Sequence, residues 1–334
     1  MRILAGDVGG TKTSLAIFEI GAGRRSLVRS ERYPSGAYPG LESVVEIFLR
    51  GEPVPAAAGF GVAGPVRDGA AKVTNLPWRI EESRLARASG IPSVVLLNDF
   101  VSNARGLPYL TSRQVVTLAR GRPEPLGPIG ILGAGTGLGQ ACLVPSGDQH
   151  DIVPSESGHA DLAARDALED RLIVFLRRQC GRATREKVLS GRGLVYLYEF
   201  FKSERVARES RRVLQEFEKA DDRAAVISRF GLSRRDALCR RALDLFVSIY
   251  GSEAGNTALA YRATGGVYLA GGIAPKILPA LRRPAFLRSF RNKPPMDGLL
   301  EKIPVRVVTE PGLGLIGAAA AAYRMTAMET SRSS

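Results

Sequence analysis

Two glycine-rich turns of one design, GDVGGTK at residues 6–12 and GAGTGLGQ at residues 133–140, constrain this chain more than any other feature. Each follows an apolar run, Ile3-Leu4-Ala5 in the first case and Ile129-Gly130-Ile131-Leu132 in the second. Each leads into another strand-like stretch, Ser14–Ile20 and Ala141–Val144. Strand, tight turn and returning strand predict a hairpin whose backbone N–H groups can face a phosphate, because glycine reaches positive φ at low cost and admits close approach. One such turn is an ordinary hairpin. Two in matching contexts predict a duplicated domain closing on a nucleotide from both sides.

A chain of 334 residues, 45% hydrophobic, has room for one large domain or two of ordinary size. No apolar run approaches the roughly 20 residues of a membrane span, so no membrane partner is expected. The chain opens directly on its first strand, and on this reading no secretory leader is expected. Three cysteines, Cys142, Cys180 and Cys239, are odd in number and far apart, which predicts neither a disulfide framework nor a zinc cluster and points to a reducing cytoplasm. The formal charge is +14, from 47 Lys and Arg against 33 Asp and Glu. Much of the excess is arginine in segments read as helical, Ser203–Arg212 and Ser233–Arg241, interrupted by Glu204, Glu209 and Asp236 as on a solvated face. Without aromatic interleaving or an arginine-rich tail, a specific nucleic-acid partner is not expected.

The first 110 or so residues alternate strands and helices. Three strands over 2–8, 13–20 and 26–33 precede an amphipathic helix marked by Leu41, Val44, Val45, Phe48 and Leu49. Strands at Ala56–Val62 and Val94–Leu97 flank a helix at Glu81–Ser89, and the second of these strands reads as the most buried. After the second glycine hairpin the chain becomes strongly helical from about 166 to 262. Sheet pattern returns at Gly266–Gly272 and Ile303–Thr309, and a small-residue helix, Leu315–Tyr323, closes the ordered part. The Pro- and Gly-rich stretch 120–128 is the expected hinge or boundary. Asn75 and Trp78 form a rigid extended corner in which Trp78 packs.

In the first loop Asp7 ends a strand and Gly9-Gly10-Thr11 turn the chain. A carboxylate beside phosphate is repulsive unless a cation lies between, so Asp7 implies Mg²⁺ held through water. The second loop has Ala134 where the first has Asp7, which suits a loop that donates only N–H groups and the Thr136 hydroxyl. Asn98-Asp99 ends a strand where open α/β sheets place ligands. Asp99 is then either the N-cap of the helix that follows or a general base taking a hydroxyl proton during phosphoryl transfer. Asn98, with donor and acceptor, can fix a neighbouring hydroxyl. Glu156-Ser157-Gly158-His159 is a compact polar loop that can clamp sugar hydroxyls, while His150 lies in the polar turn 147–150 and reads as solvated. Glu186 by pattern alone is a first-turn helix acid. Gly271-Gly272 would let a flat base approach the backbone.

Taken together, these segments resemble the bacterial-type ATP-dependent glucokinase family. The carrying motifs are GDVGGTKTSLA at 6–16, TNLPW at 74–78, LNDF at 97–100, GAGTGLGQA at 133–141, ESGHADLA at 156–163, EKVLSGRGLVYLY at 186–198, GGVYLAGGIAPK at 265–276 and IPVRVVTEPGLGLIGAA at 303–319. They run in order along nearly the whole chain. The resemblance implies an α/β, two-lobed, actin-like (ribonuclease H-like) fold with a helical insertion in the second lobe. It implies transfer of the γ-phosphoryl of ATP to the 6-hydroxyl of D-glucose, with Mg²⁺ as cofactor and a homodimeric assembly.

On that basis Asp99 is the base, Asn98 binds hydroxyls beside it, and Glu156, His159 and Glu186 hold the rest. Gly6, Asp7, Val8, Gly9, Gly10 and Thr11, with Gly133, Gly135, Thr136 and Gly137, would cradle the phosphates, and Gly271 and Gly272 would lie near the adenosine. Ser157 replaces the first of two glycines usual before this histidine, with a slight change in loop flexibility as the expected effect. No cysteine cluster follows His159, and because the sequence opens on its first strand a helix-turn-helix regulator is not expected, unlike many relatives in the repressor and kinase group. The expected division is a smaller lobe at 1–120 with the first phosphate loop and the catalytic Asp, a larger lobe at 121–326, and a tail at 327–334. A kinase of another hexose or amino sugar is the alternative, with a non-catalytic sugar sensor or nucleic-acid binder behind it.

Overall fold

A computed structural model describes residues 1–21, 24–147 and 149–333. The chain forms two compact units, one from Met1–Thr111 with Glu310–Ser334 and the other from Ser112–Thr309.

In the first unit the strands are β1 (Arg2–Val8), β2 (Lys12–Gly21), β3 (Arg24–Pro34), β4 (Ala57–Val62), β5 (Val66–Arg67), β6 (Ala70–Lys72), β7 (Arg79–Glu81) and β8 (Ser93–Asn98). The main sheet runs β3-β2-β1-β4-β8, with β1 antiparallel to β2 and parallel to β4. Period-2 alternation sends Leu4 and Val8 to one face and Ile3 and Ala5 to the other. The first face is covered by the helix Leu41–Leu49 through Val44, Val45 and Phe48, and Trp78 lies in the same core with its indole N–H donated to the Tyr38 carbonyl at 3.1 Å. The second face is covered by the C-terminal helix, through Leu315, Ile316, Ala318, Ala319 and Ala322. Small residues let this helix approach backbone to backbone: a Cβ on Gly317 would collide with the Ser102 carbonyl, and one on Gly59 with that of Ala318. Burial is most complete in the all-buried β4. The strand read as most buried, β8, ends the sheet order and is only half-buried, because it bonds to one neighbour.

In the second unit the strands are β9 (Val115–Ala119), β10 (Ile129–Ala134), β11 (Leu138–Ser146), β12 (Gln149–Ser155), β13 (Gly266–Ala270) and β14 (Val305–Val308). Their order is β12-β11-β10-β13-β14-β9. The first five repeat the first unit's pattern: two antiparallel pairings, then two parallel ones. The duplication foreseen from two turns is therefore a duplication of whole sheets. The helical insertion is built around Ala237–Ala260, a 24-residue helix buried along most of its length, as expected for a core helix that is apolar nearly all round.

Several boundaries differ from the sequence reading. The stretch 120–128 lies within the second unit and is pinned there, with the Arg122 N–H on the Lys302 carbonyl at 2.6 Å and the Thr264 hydroxyl on Glu124 at 2.7 Å. The chain instead passes between units at 111/112 and 309/310. The C-terminal helix spans Leu313–Ser333, since nothing after Tyr323 breaks it, and it groups with the first unit instead of the second. Ser334 of the expected tail, like Asp148 of the polar turn, lies outside the described residues. Ser203–Arg212 is largely a link between helices, with Ser210 capping the next one, and Ser233–Arg241 turns helical only after its cap, Asp236. Among the described residues no helix is long and apolar enough to cross a membrane.

Candidate functional site

In the first unit the β1–β2 hairpin closes with the Gly9 N–H on the Lys12 carbonyl at 3.0 Å. It is braced from behind by Ser35, whose hydroxyl donates to the Gly9 carbonyl at 2.8 Å and whose N–H bonds the Thr11 carbonyl. Gly10 runs so close to the next segment that a Cβ there would lie 2.6 Å from the Thr74 carbonyl oxygen. Thr11 is exposed.

Asp7 sits at the base of this hairpin, half-buried, with Gly314 against it. Burial raises its carboxyl above the ordinary range, and Lys12 and Arg32 pull it back in part. Among the described residues no cluster of three or more His, Cys, Asp or Glu could hold a metal by itself. A single desolvated carboxylate fits Mg²⁺, which keeps several waters and takes only one or two protein carboxylates besides phosphate oxygens.

The end of β8 leads into the helix Asp99–Gly106, and Asn98, not Asp99, is its N-cap. The Asn98 side-chain oxygen accepts from the N–H groups of Phe100 at 2.9 Å and Val101 at 3.2 Å, and its amide donates to the Gly64 carbonyl at 3.2 Å. What Asn98 retains for a ligand is one amide hydrogen. Asp99 is the first helical residue, half-buried, with one oxygen accepting the Phe100 N–H at 2.9 Å. Its carbonyl is bonded by Asn103 at 3.0 Å. Ser102 donates to the Gly314 carbonyl at 2.8 Å and so locks this helix to the C-terminal one.

In the second unit the β10–β11 hairpin is held by the Gly135 N–H on the Gly137 carbonyl at 2.8 Å. The Gly191 N–H, at the start of the helix Gly191–Ser203, bonds the Gly135 carbonyl at 2.9 Å. Gly271, at φ 78°, abuts Ala134, where a Cβ would lie 2.5 Å from the carbonyl oxygen, whereas Gly272 faces open space. The hairpin at Gly133–Gly137 and the turn at Gly271-Gly272 are thus neighbours.

Glu186 lies in a turn, not in a helix, because Ser190 caps the helix that follows by accepting the Gly193 N–H. The Glu186 carboxylate accepts the Leu138 N–H at 3.0 Å and its backbone N–H bonds the Gly158 carbonyl at 2.9 Å. His159, in a short 3₁₀ turn at Ser157–His159, stands with Nδ1 4.0 Å from Glu186 and Nε2 4.0 Å from Glu156. These separations exceed hydrogen-bond length. They leave an exposed imidazole and two carboxylates around a space that a bridging hydroxyl can occupy. Sequence reasoning brought Glu156 and His159 together on pattern, and Glu186 only by resemblance.

It missed Gln140, Arg185 and Glu253. Ser157 donates to Gln140 at 2.8 Å and accepts from Arg185 at 3.1 Å, so the turn is tethered where the replaced glycine predicted only altered flexibility. Position gives no signal for Glu253, a buried acid inside a long helix.

The glucokinase family model matches residues 4–325. Over 97% of its length the chain is 41% identical to 99% of the glucokinase of Nostoc punctiforme. The crystal structure of a glucokinase from an Antarctic psychrotroph superposes with a TM-score of 0.83 and 31% identity, over 97% of this chain and 99% of that one. A ROK family glucokinase from Streptomyces griseus, crystallised with glucose and AMPPNP, shares the fold at a TM-score of 0.65 and 21% identity, over 97% of this chain and all of that one. The duplicated sheets and hairpins are those of the actin-like α/β fold used by sugar kinases. Within that class, this chain belongs to the glucokinase family.

Proposed function

We propose that the protein transfers the γ-phosphoryl of ATP to the 6-hydroxyl of D-glucose, giving glucose 6-phosphate and ADP. Family membership supports the reaction class. The observation that carries the acceptor is the spacing of Glu156, His159 and Glu186, one hydroxyl apart on two turns tied to each other by backbone bonds. Acceptors and a donor at such spacing suit vicinal sugar hydroxyls.

In this reading Glu156, His159 and Glu186 bind the sugar, and the spare amide hydrogen of Asn98 donates to a further hydroxyl. Asp99 accepts the proton from the 6-hydroxyl as its oxygen attacks the γ-phosphorus, and the ADP oxygen departs with the bonding electrons. N–H groups of Gly6–Thr11 and of Gly133–Gly137, with the Thr136 hydroxyl, cradle the phosphates. The N-terminus of the helix beginning at Gly191, bonded to that second hairpin, adds favourable dipole charge. Asp7 would hold Mg²⁺ through water, and the ion would offset phosphate charge. Gly272, with open space beside it, leaves room for the adenosine.

We also read the protein as a cytoplasmic homodimer without a nucleic-acid partner. Three free thiols, two of them buried, support the reducing compartment, and light scattering tests the assembly.

The decisive experiment is a panel of glucose, mannose and N-acetylglucosamine against ATP, ADP and polyphosphate, with the product's phosphate position determined. ATP-dependent phosphorylation of glucose at the 6-hydroxyl is expected to have the highest kcat/KM. Preference for another sugar, or no transfer at all, overturns the reading.

A further inference from the structure

The turn that carries Glu156 and His159 and the turn that carries Glu186 meet at one polar junction. Ser157, flanked by Glu156 and Gly158, and Arg185, beside Glu186, are bonded to each other at 3.1 Å. Both are bonded into Glu253 and Gln140, which are 3% and 2% exposed. Arg185 Nη1 donates to Glu253 at 2.8 Å, Gln140 donates to the same carboxylate oxygen at 2.7 Å, and Ser157 donates to the Gln140 carbonyl oxygen at 2.8 Å. Asn256, one helical turn along, donates to the other Glu253 oxygen at 2.9 Å. Both oxygens of the buried carboxylate are therefore hydrogen-bonded, and two of its partners reach outward to the two turns.

A buried acid costs stability unless every lone pair is met. Held this way it acts as an anchor, since any shift of Ser157 or Arg185 leaves charge or amide unsatisfied. The backbone adds two further ties, from the Glu186 N–H to Gly158 and from the Arg185 N–H to Ala160. Binding carboxylates must be kept within a few tenths of an ångström of their working geometry, and residues that lock the supporting turns do this without touching the ligand.

We propose that Ser157 and Arg185 are positioning residues that fix the separation of Glu156, His159 and Glu186 by tying both turns to Glu253 in the core of the second unit. This rests on the reading of those three residues as sugar-hydroxyl ligands. The Ser157 hydroxyl therefore serves sugar affinity, and the junction distinguishes glucose from ATP in its effect.

The test measures KM for glucose, KM for ATP, kcat and melting temperature for the purified full chain and its variants. Ser157→Ala is expected to raise the glucose KM about five- to tenfold, with the ATP KM and kcat within about twofold and a lowered melting temperature that still leaves the protein folded at the assay temperature, because the buried Gln140 oxygen loses its Ser157 donor. Ser157→Thr, which keeps the hydroxyl, is expected to restore the wild-type glucose KM. Arg185→Lys is expected to raise it as well, and the double variant Ser157→Ala with Arg185→Lys to cost less than the product of the two, because both act through one junction. An active wild type whose glucose KM is unchanged by Ser157→Ala, or an equal rise in both KM values, overturns this inference alone. A wild type that does not phosphorylate glucose overturns the underlying assignment and this inference with it.

Discussion

The Glu186 carboxylate accepts the Leu138 N–H at 3.0 Å and so joins a candidate sugar ligand to the first residue of the strand that leaves the second glycine hairpin. One carboxylate oxygen holds the hairpin while the other stands 4.0 Å from the His159 imidazole. The second hairpin and the turn that carries Glu186 are therefore joined directly in this unit.

Two glycines report on that join in opposite ways. A Cβ at Gly137 would collide with the end of the Glu186 side chain, which can swing aside, whereas a Cβ at Gly158 would collide with the Leu138 backbone carbonyl, which cannot. Gly137→Ala is expected to keep its melting temperature and raise the glucose KM about fivefold as Glu186 leaves its partner. Gly158→Ala is expected to lose about 1–3 kcal/mol of stability, read in denaturant titration. The reverse ordering of stabilities would refute this account of the turn.

Asp99 is set at the first position of a helix whose cap is its neighbour, so removing its charge leaves the cap intact. Asp99→Asn is expected to lower kcat by about 10² to 10⁴. Calorimetry should show glucose still bound by the variant. Turnover near that of wild type would exclude Asp99 as the base.

Asp7 carries the opposite sign for stability and for activity. Its folded carboxyl is raised above the unfolded value of 3.8 by burial. The folded state thus binds more protons than the unfolded state between those two values, and ligand-free stability falls as pH rises through the window. Asp7→Asn is expected to melt higher than wild type near neutral pH, with no difference below both values, and to need more Mg²⁺ for half-maximal rate. A lower melting temperature for Asp7→Asn at neutral pH would contradict this.

How far the sequence carried these conclusions depends on the kind of signal. The hairpins were legible because a strand, glycines and a returning strand are local, and so was the alternation in β1. Glu156 and His159 were legible because they are three residues apart. Asn98 takes the cap that one of the two readings gave to Asp99, because side-chain reach, which spacing does not reveal, decides between adjacent candidates. Glu253 could not be found: the partners that tie it to the two turns are Gln140, 113 residues away, and Arg185, 68 away. The C-terminal helix was visible as a small-residue stripe, yet which unit it serves depends on backbone contacts of Gly59 and Gly317 that composition only permits.

That helix has a consequence for the order in which the protein is made. The second unit is one uninterrupted stretch, Ser112–Thr309, while the first is completed only by residues from Glu310 onward. During synthesis the domain holding Glu186 and the second hairpin has all its parts before Glu310 and the residues after it are added. The helix that starts at Asp99 waits for Gly314 and Gly317 to arrive before it can be locked in place. Domains fold as they become complete, so the unit holding Glu186 can be finished before the helix that carries Asp99, the proposed base, is locked in place.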